Sequence, residues 1–301
     1  MATSNRLSLA DMDLSLGKRT RLYRLMYEHG PGNGTMQFLP IDQGLEHGPR
    51  DFFPNPPCAD PMYQLRLALE GKYSGIVFQY GIAEKYMKPF VGRVPLVLKL
   101  NGKTEIPPDR APVSPMIASV EDAVRLGADA IGYTLYIGSP RQEEDFMQFK
   151  AVREEADRYG MPIIVWAYPR GEAIEAKGGR DSIYAVDYAA RVSAELGADI
   201  VKMNFPKVDP TKQSGYPKPY DTLNESESDL IHRVVASAGK TLVLISGGER
   251  AGDEDVRRKA RLSLEAGAAG LIFGRNLWQR PYDEALRMTK TLHDLLLEFP
   301  R

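Results

Sequence analysis

The sequence predicts an α/β protein: a single-domain TIM (β/α)8 barrel with an N-terminal helical extension. Eight short apolar runs alternate with longer amphipathic segments, which is typical of parallel βαβ units. The chain length of 301 residues also suits one such barrel. We expect residues 1–34 to form the extension and residues 35–301 to form the barrel domain.

The predicted strands are the apolar runs, several of which are almost continuous in Ile, Val and Leu. Such runs are expected for parallel strands that are buried on both faces. The eight predicted strands are residues 36–42, 75–80, 95–101, 130–136, 162–168, 199–205, 241–246 and 270–274.

Four amphipathic stretches between the strands each end just before a glycine, the residue that most often closes a helix. The predicted helices are residues 119–126, 143–159, 181–196 and 253–266, followed by Gly127, Gly160, Gly197 and Gly267. The string Leu-Gly-Ala-Asp occurs at 126–129 and again at 196–199, and Ala-Gly-Ala-Ala-Gly at 266–270 resembles it. These strings mark the same helix-to-strand joint three times. The amphipathic stretches 6–27 and 281–299 are expected to be helices that close the barrel.

A doubly wound open sheet is the rival fold, and it would carry a dinucleotide-binding glycine motif after its first strand. The glycine-rich run 30–34 precedes the first predicted strand and lacks the G-x-G-x-x-G spacing, so it is interpreted as a turn. Two segments, 102–115 and 207–224, are long for barrel loops, and long loops on the active face are more often functional than idle.

Composition excludes several functional classes. The chain carries 39 Lys and Arg against 40 Asp and Glu, and this balance argues against a nucleic-acid partner. The single cysteine, Cys58, permits no internal disulfide and indicates a reducing compartment, so a cytoplasmic location is expected. No stretch approaches the roughly 18 apolar residues of a membrane span, and the N-terminus lacks the pattern of a signal peptide.

Lys202 is the most informative candidate residue, because it lies in an otherwise apolar predicted strand and lysine is seldom buried without a reason. At the barrel mouth it would lose charge by desolvation and become an amine that attacks a carbonyl, unless it is simply a surface lysine. Lys99 holds a comparable place in the third strand. It could lower the Lys202 pKa further, bind a phosphate or pair with a carboxylate.

Two further side chains are expected at the mouth. Asp42 ends the first strand, where a carboxylate is typical of catalysis or substrate positioning, although it could also cap the following turn. Tyr136 ends the fourth strand and could place a phenol in the same mouth or serve only in packing.

A phosphate site is predicted in the loops after the seventh and eighth strands, where barrels of this type commonly bind phosphate. Glycines there let the backbone approach an anion and arginine adds a charged fork. The residues concerned are Ser246, Gly247 and Gly248 in one loop and Gly274 and Arg275 in the other.

Two other chemistries fit poorly. A metal site needs several converging ligands, yet of the four histidines only His47 falls at the predicted mouth, where it is interpreted as stabilising a turn. Cys58 lies in a proline-rich loop without a nucleophile-elbow motif. No metal ligands are therefore predicted.

These residues together resemble the class I fructose-bisphosphate aldolases of the archaeal and bacterial type. The resemblance rests on Leu-Pro-Ile-Asp-Gln-Gly-Leu-Glu-His-Gly-Pro at 39–49, Gly-Tyr-Thr-Leu-Tyr-Ile-Gly-Ser at 132–139, Tyr-Pro-Arg-Gly at 168–171, Val-Lys at 201–202, Ser-Gly-Gly at 246–248 and Gly-Arg-Asn-Leu-Trp-Gln-Arg at 274–280.

The resemblance implies that Lys202 forms a Schiff base with a phosphorylated ketose, with Tyr136 as the proton-transfer residue and Asp42 as the strand-one carboxylate. It also implies that the glycine loops and Arg275 bind the phosphate of the dihydroxyacetone half, that no cofactor or metal is needed, and that the chain forms a homo-oligomer. For the distal phosphate, Arg170, Lys99 and the lysines of residues 207–218 are candidates.

Two alternatives to this function stay open. The chain could be a Schiff-base lyase or synthase that acts on another phosphorylated keto sugar, since loops set the substrate range on a shared barrel. It could also be a non-catalytic barrel that binds sugar phosphates.

Overall fold

Eight parallel strands close into a barrel in chain order, with β8 pairing back onto β1. The structure is a computed structural model and describes residues 6–301. The strands are β1 (Met36–Pro40), β2 (Gly75–Gln79), β3 (Leu96–Lys99), β4 (Ala130–Ile137), β5 (Ile163–Pro169), β6 (Ile200–Met203), β7 (Leu242–Ser246) and β8 (Gly270–Ile272). The predicted TIM barrel is thus confirmed, and all eight predicted strands are present.

One helix precedes the first strand, and the other helices follow the strands around the barrel. The helices are α1 (Leu16–Tyr23), α2 (Gln43–His47), α3 (Pro61–Glu70), α4 (Tyr80–Tyr86), α5 (Val120–Arg125), α6 (Gln142–Tyr159), α7 (Glu172–Glu175), α8 (Ile183–Glu195), α9 (Glu227–Ser237), α10 (Asp253–Glu265), α11 (Arg275–Trp278) and α12 (Tyr282–Leu297). The four glycines predicted to close helices all have a positive φ, between 57° and 101°. That conformation costs glycine little, and it turns the chain towards the next strand.

Several strands are shorter than predicted, mainly at their carboxyl ends. β1 ends at Pro40, and Asp42 then takes a helical conformation at the start of α2. β6 ends at Met203, three residues before Pro206, which has no N–H to offer a neighbouring strand. The residues that leave the ladder early are free to present their side chains at the barrel mouth.

The bottom of the barrel is closed by the N-terminal segment. Helix α1 continues into a π-helical turn at Arg24–Glu28, and its residues Leu22, Leu25 and Met26 are fully buried. They pack against apolar side chains inside the barrel, among them Phe38. Residues 1–5 of the predicted extension lie outside the described part of the chain, and the division at residue 34 stays a prediction.

Two cationic side chains fix this segment to the barrel, and each pairs with the aspartate of a Leu-Gly-Ala-Asp string. Arg24 Nε lies 2.8 Å from Asp129 Oδ1, and Lys18 Nζ lies 3.0 Å from Asp199 Oδ2 and 2.8 Å from Asp157 Oδ1. Burial opposes the charge of Lys18, but the two carboxylates outweigh it and raise the Lys18 pKa.

The third joint has no aspartate and is held differently. There the guanidinium of Arg301, at the C-terminus, donates a hydrogen bond of 2.6 Å to the carbonyl of Gly267. All three recurring strings therefore anchor a terminal segment of the chain.

Among residues 6–301, no helix combines the length and the apolar character that crossing a membrane requires.

We expect Lys18→Met to lower the free energy of unfolding by about 3–5 kcal/mol, because it leaves the buried Asp199 carboxylate without its cation. Chemical denaturation followed by circular dichroism measures this change. The matched control is Lys150→Met, which removes an ion pair with Glu154 whose side chains are both more than half exposed. We expect that variant to change stability by less than about 1 kcal/mol. Equal losses in the two variants would contradict the anchoring role of Lys18.

Candidate active site

A cavity of about 620 Å³ opens at the carboxyl ends of the strands. Its lining is mainly polar and comes from the loops after β1, β5, β6, β7 and β8. The lining side chains that carry most of the chemistry are Asp42, Glu46, His47, Tyr168, Arg170, Arg180, Lys202, Ser246 and Arg275. In barrels of this type, reacting groups lie at this face.

Lys202 lies on β6 with its amine pointing into this cavity and only 5% of the residue exposed. Its Nζ donates a hydrogen bond to the Tyr168 hydroxyl and lies 4.5 Å from the centre of the Tyr168 ring and 5.8 Å from that of Trp166. Burial lowers the Lys202 pKa to about 8; nearby Asp42 and Glu46 oppose the shift, while Lys99 and Arg170 reinforce it. A substantial fraction of this amine is therefore neutral near pH 7–8 and able to attack a carbonyl.

The Trp166 ring lies near the amines of two lysines, and a glycine makes room for it. Lys99 Nζ lies 5.0 Å from the centre of the same ring. A Cβ at Gly132, on β4, would lie 2.8 Å from the Trp166 ring and 2.9 Å from Cδ of Lys99. Any larger residue at position 132 would collide with the Trp166 ring, which lies near the Lys202 amine.

Lys99 is buried below the cavity, and it contacts protein groups. Its Nζ donates a hydrogen bond of 2.6 Å to Thr134 Oγ1 and lies 3.7 Å from Asp42 Oδ2. Burial lowers the Lys99 pKa, and Asp42 and Glu46 oppose that shift. Of the roles left open for Lys99, pairing with a carboxylate and lowering the Lys202 pKa both fit this position, and direct contact with a phosphate in the main cavity does not.

Tyr136 is not brought to Lys202. Its side chain is buried beside a separate void of about 10 Å³, and Lys103 lies 6.0 Å from its ring centre. The predicted proton-transfer position next to Lys202 is instead occupied by the hydroxyl of Tyr168. Burial, with the carboxylates of Glu46 and Asp42, raises the Tyr168 pKa well above 10, so the phenol is protonated at neutral pH.

The sequence contained a signal for Tyr168. This residue is the last but one of β5, the strand next to that of Lys202, and the pairing of Trp166 with Lys202 places Tyr168 two residues further along the same face. Tyr136 satisfies the same strand-end rule, but it lies on β4, which is separated from β6 by β5.

The two glycine loops lie together at the cavity, as predicted. Ser246, Gly247, Gly248, Gly274 and Arg275 all line it. The amide of Asn276 donates hydrogen bonds to the carbonyls of Gly247, at 3.0 Å, and Glu249, at 3.1 Å.

The hydroxyl of Ser246 is engaged from the neighbouring strand, since it donates a hydrogen bond of 3.1 Å to the Asn204 side chain. These hydrogen bonds hold the glycine loops in place. The loops can then offer backbone N–H groups and the Arg275 guanidinium to an anion.

Arg170, in the loop after β5, also lines the cavity. Its guanidinium stacks 5.0 Å from the Tyr168 ring centre, and its buried Nε has no hydrogen-bond partner. Asp109 is the nearby carboxylate, at 3.6 Å from that Nε. An adjoining cavity of about 440 Å³ shares Arg170, Arg180 and Lys207 with the main cavity.

The geometry also bears on metal binding and on a cysteine nucleophile. Within the described residues, no three His, Cys, Asp or Glu side chains are placed so that they could hold one metal ion together. Cys58 is buried, and burial raises the pKa of its thiol to about 12, which makes a poor nucleophile.

Known proteins resemble this chain along most of its length. A family model described as DeoC/LacD family aldolase matches residues 36–280. The class 1 fructose-bisphosphate aldolase of Thermoproteus tenax is 42% identical over 264 residues, which cover 87% of this chain and 90% of the relative. The class 1 fructose-bisphosphate aldolase of Halobacterium salinarum is 35% identical over 256 residues, with 84% and 88% covered.

A solved structure shows the same fold. It is an archaeal fructose-1,6-bisphosphate aldolase whose catalytic lysine is covalently bound to the carbinolamine intermediate of the substrate. It superposes with a TM-score of 0.78 at 39% identity and covers 92% of this chain and 99% of its own.

Proposed function

The chain belongs to the DeoC/LacD family of aldolases, and from this premise we propose that it is a class I fructose-bisphosphate aldolase. The proposed reaction is the reversible cleavage of fructose 1,6-bisphosphate to dihydroxyacetone phosphate and glyceraldehyde 3-phosphate. The observation that carries the proposal is the buried amine of Lys202, which faces a cavity where two glycine loops and Arg275 meet.

The first step is imine formation on Lys202. The neutral amine attacks the ketone carbon, a C–N bond forms, and the carbonyl oxygen takes up a proton to give a carbinolamine. The protonated Tyr168 hydroxyl, which already touches Nζ, donates a proton to the departing oxygen, which leaves as water. The product is an iminium ion joined to Lys202.

The second step breaks the bond between C3 and C4. The electron pair of that bond moves to the iminium nitrogen and gives an enamine, while the proton of the C4 hydroxyl passes to a base. We assign this proton transfer to Tyr168, now a phenolate, in place of Tyr136, with the Asp42 carboxylate as the alternative acceptor. Reprotonation of C3 and hydrolysis of the imine then release the ketone half and regenerate Lys202.

The iminium ion supplies the electron sink that a metal would otherwise provide, so the proposed mechanism uses no metal and no cofactor. The two glycine loops, with Ser246, Gly247, Gly248, Gly274 and Arg275, are proposed to bind the phosphate of the ketone half. Arg170, which lines both the main and the adjoining cavity, is proposed to bind the distal phosphate through its guanidinium. A homo-oligomeric state remains a proposal that rests on the family resemblance.

The proposed function is tested by incubating the chain with fructose 1,6-bisphosphate and a chelator, and following the release of dihydroxyacetone phosphate. A panel of other phosphorylated ketoses is assayed in parallel. Cleavage of the bisphosphate supports the proposal. Cleavage of another ketose phosphate alone would favour the alternative lyase, and thermal stabilisation by sugar phosphates without turnover would favour a binding protein.

We expect Tyr168→Phe to lower kcat by roughly 10²- to 10⁴-fold, the usual contribution of a general acid–base group. Its matched partner is Tyr136→Phe, which removes the same hydroxyl from the neighbouring strand end and is expected to keep kcat within a few-fold of the unmodified chain. Steady-state kinetics with fructose 1,6-bisphosphate measures both. A large loss in Tyr136→Phe with little change in Tyr168→Phe would return the role to Tyr136.

We expect Arg170→Gln to raise KM for fructose 1,6-bisphosphate by roughly 10- to 100-fold, because one charge-assisted hydrogen bond to the distal phosphate is lost. The KM for fructose 1-phosphate, which lacks that phosphate, is expected to change little. Arg158→Gln, an exposed arginine of α6, is the control. An equal rise for both substrates would contradict the assignment.

A further inference from the structure

One carboxylate at the cavity rim is shared by two cationic side chains from different loops. Asp51 follows α2 in a short 3-10 turn, and only 11% of its side chain is exposed. Its Oδ2 lies 2.7 Å from Nδ1 of His47 and 3.9 Å from a guanidinium nitrogen of Arg275. Its backbone carbonyl accepts a hydrogen bond of 2.6 Å from Gln279. Asp51 thus joins the loop after β1 to the loop after β8.

His47 is thereby oriented in the cavity. It is the last residue of α2 and lines the cavity together with Gly274 and Arg275. Because Nδ1 is engaged by Asp51, Nε2 is the ring nitrogen left for a ligand. Nε2 lies 3.9 Å from the Glu46 carboxylate, which is beyond hydrogen-bond distance. The mechanism described above does not use this nitrogen.

We propose that His47, oriented by Asp51, donates a hydrogen bond from Nε2 to the phosphate bound by the glycine loops, as a second cationic ligand beside Arg275. The chemistry fits, since a phosphate dianion accepts several charge-assisted hydrogen bonds and the glycines bring it to the same rim. The inference rests on the proposed function for the identity of the ligand. The positions of the imidazole, the shared carboxylate and the guanidinium do not depend on that identity.

The charges around His47 make this contact sensitive to pH. The hydrogen bond to Asp51 raises the His47 pKa above its usual value near 6.5; burial opposes the shift, Glu46 supports it, and Arg275 opposes it. The imidazole is therefore protonated to a larger extent at neutral pH than an ordinary histidine. Its charge is lost as the pH rises through the raised pKa, and the affinity for a phosphate that is already a dianion falls with it.

The test measures the binding of glycerol 3-phosphate by calorimetry between pH 7 and pH 9. This probe carries the phosphate but no ketone, so it forms no imine and its binding does not depend on turnover. We expect His47→Gln to weaken binding at pH 7 by roughly 10- to 100-fold. We also expect the variant to lose most of the decline in affinity that the unmodified chain shows towards pH 9. The decline in affinity that remains in His47→Gln is expected to come from deprotonation of Lys202, whose pKa is about 8.

Asp51→Asn tests the positioning role separately. It leaves the imidazole in place but removes the carboxylate that holds its proton, so the midpoint of the pH dependence should move to lower pH. His232→Gln, on the outer helix α9, is the matched control and should behave as the unmodified chain. Thermal unfolding of each variant verifies that it is folded.

The outcomes separate this inference from the proposed function. If fructose 1,6-bisphosphate is cleaved but His47→Gln binds glycerol 3-phosphate with unchanged affinity and pH dependence, the role of His47 is wrong and the aldolase function stands. If no ketose phosphate is cleaved but glycerol 3-phosphate binding still depends on His47 and Asp51, the phosphate contact stands and the aldolase function is wrong.

Discussion

The burial of one amine constrains the rest of this structure. Taking a lysine charge out of water is costly, so Lys202 loses part of its proton affinity, as its proposed role as a nucleophile near neutral pH requires. The residues around Lys202 make this burial possible. Gly132 makes room for Trp166 beneath the amine, the buried Lys99 is paired with Asp42, and Tyr168 presents a hydroxyl directly to Nζ.

This burial requires a barrel interior that is closed at the bottom and opens only through the mouth. The mouth is lined by the loops that are proposed to bind the phosphate, while the bottom is filled by apolar side chains of the N-terminal segment. The two Leu-Gly-Ala-Asp aspartates, Asp129 and Asp199, serve this closure because each receives a cation from that segment. A repeated string that marks a helix-to-strand joint in the sequence is therefore also the attachment point of the segment that closes the interior.

The barrel and part of the site could be predicted because they depend on local patterns. Runs of β-branched residues and helix-ending glycines indicated the fold, and a lysine in an apolar strand indicated the nucleophile. Tyr168 and Tyr136 look alike by strand position, and only the neighbour relation of β5 and β6 separates them. His47 was interpreted as stabilising a turn because its link to Arg275 runs through Asp51, which joins loops more than 220 residues apart in sequence. A contact between two loops so far apart leaves no pattern within either segment of the sequence.

The most direct test of the account is borohydride reduction in the presence of dihydroxyacetone phosphate, followed by peptide mass spectrometry. Reduction freezes an imine on whichever lysine formed it. We expect a substrate-dependent adduct on Lys202 and none on Lys99, although both lysines contact Trp166. An adduct on Lys99 in place of Lys202, or no adduct on any lysine of the folded chain, would contradict it.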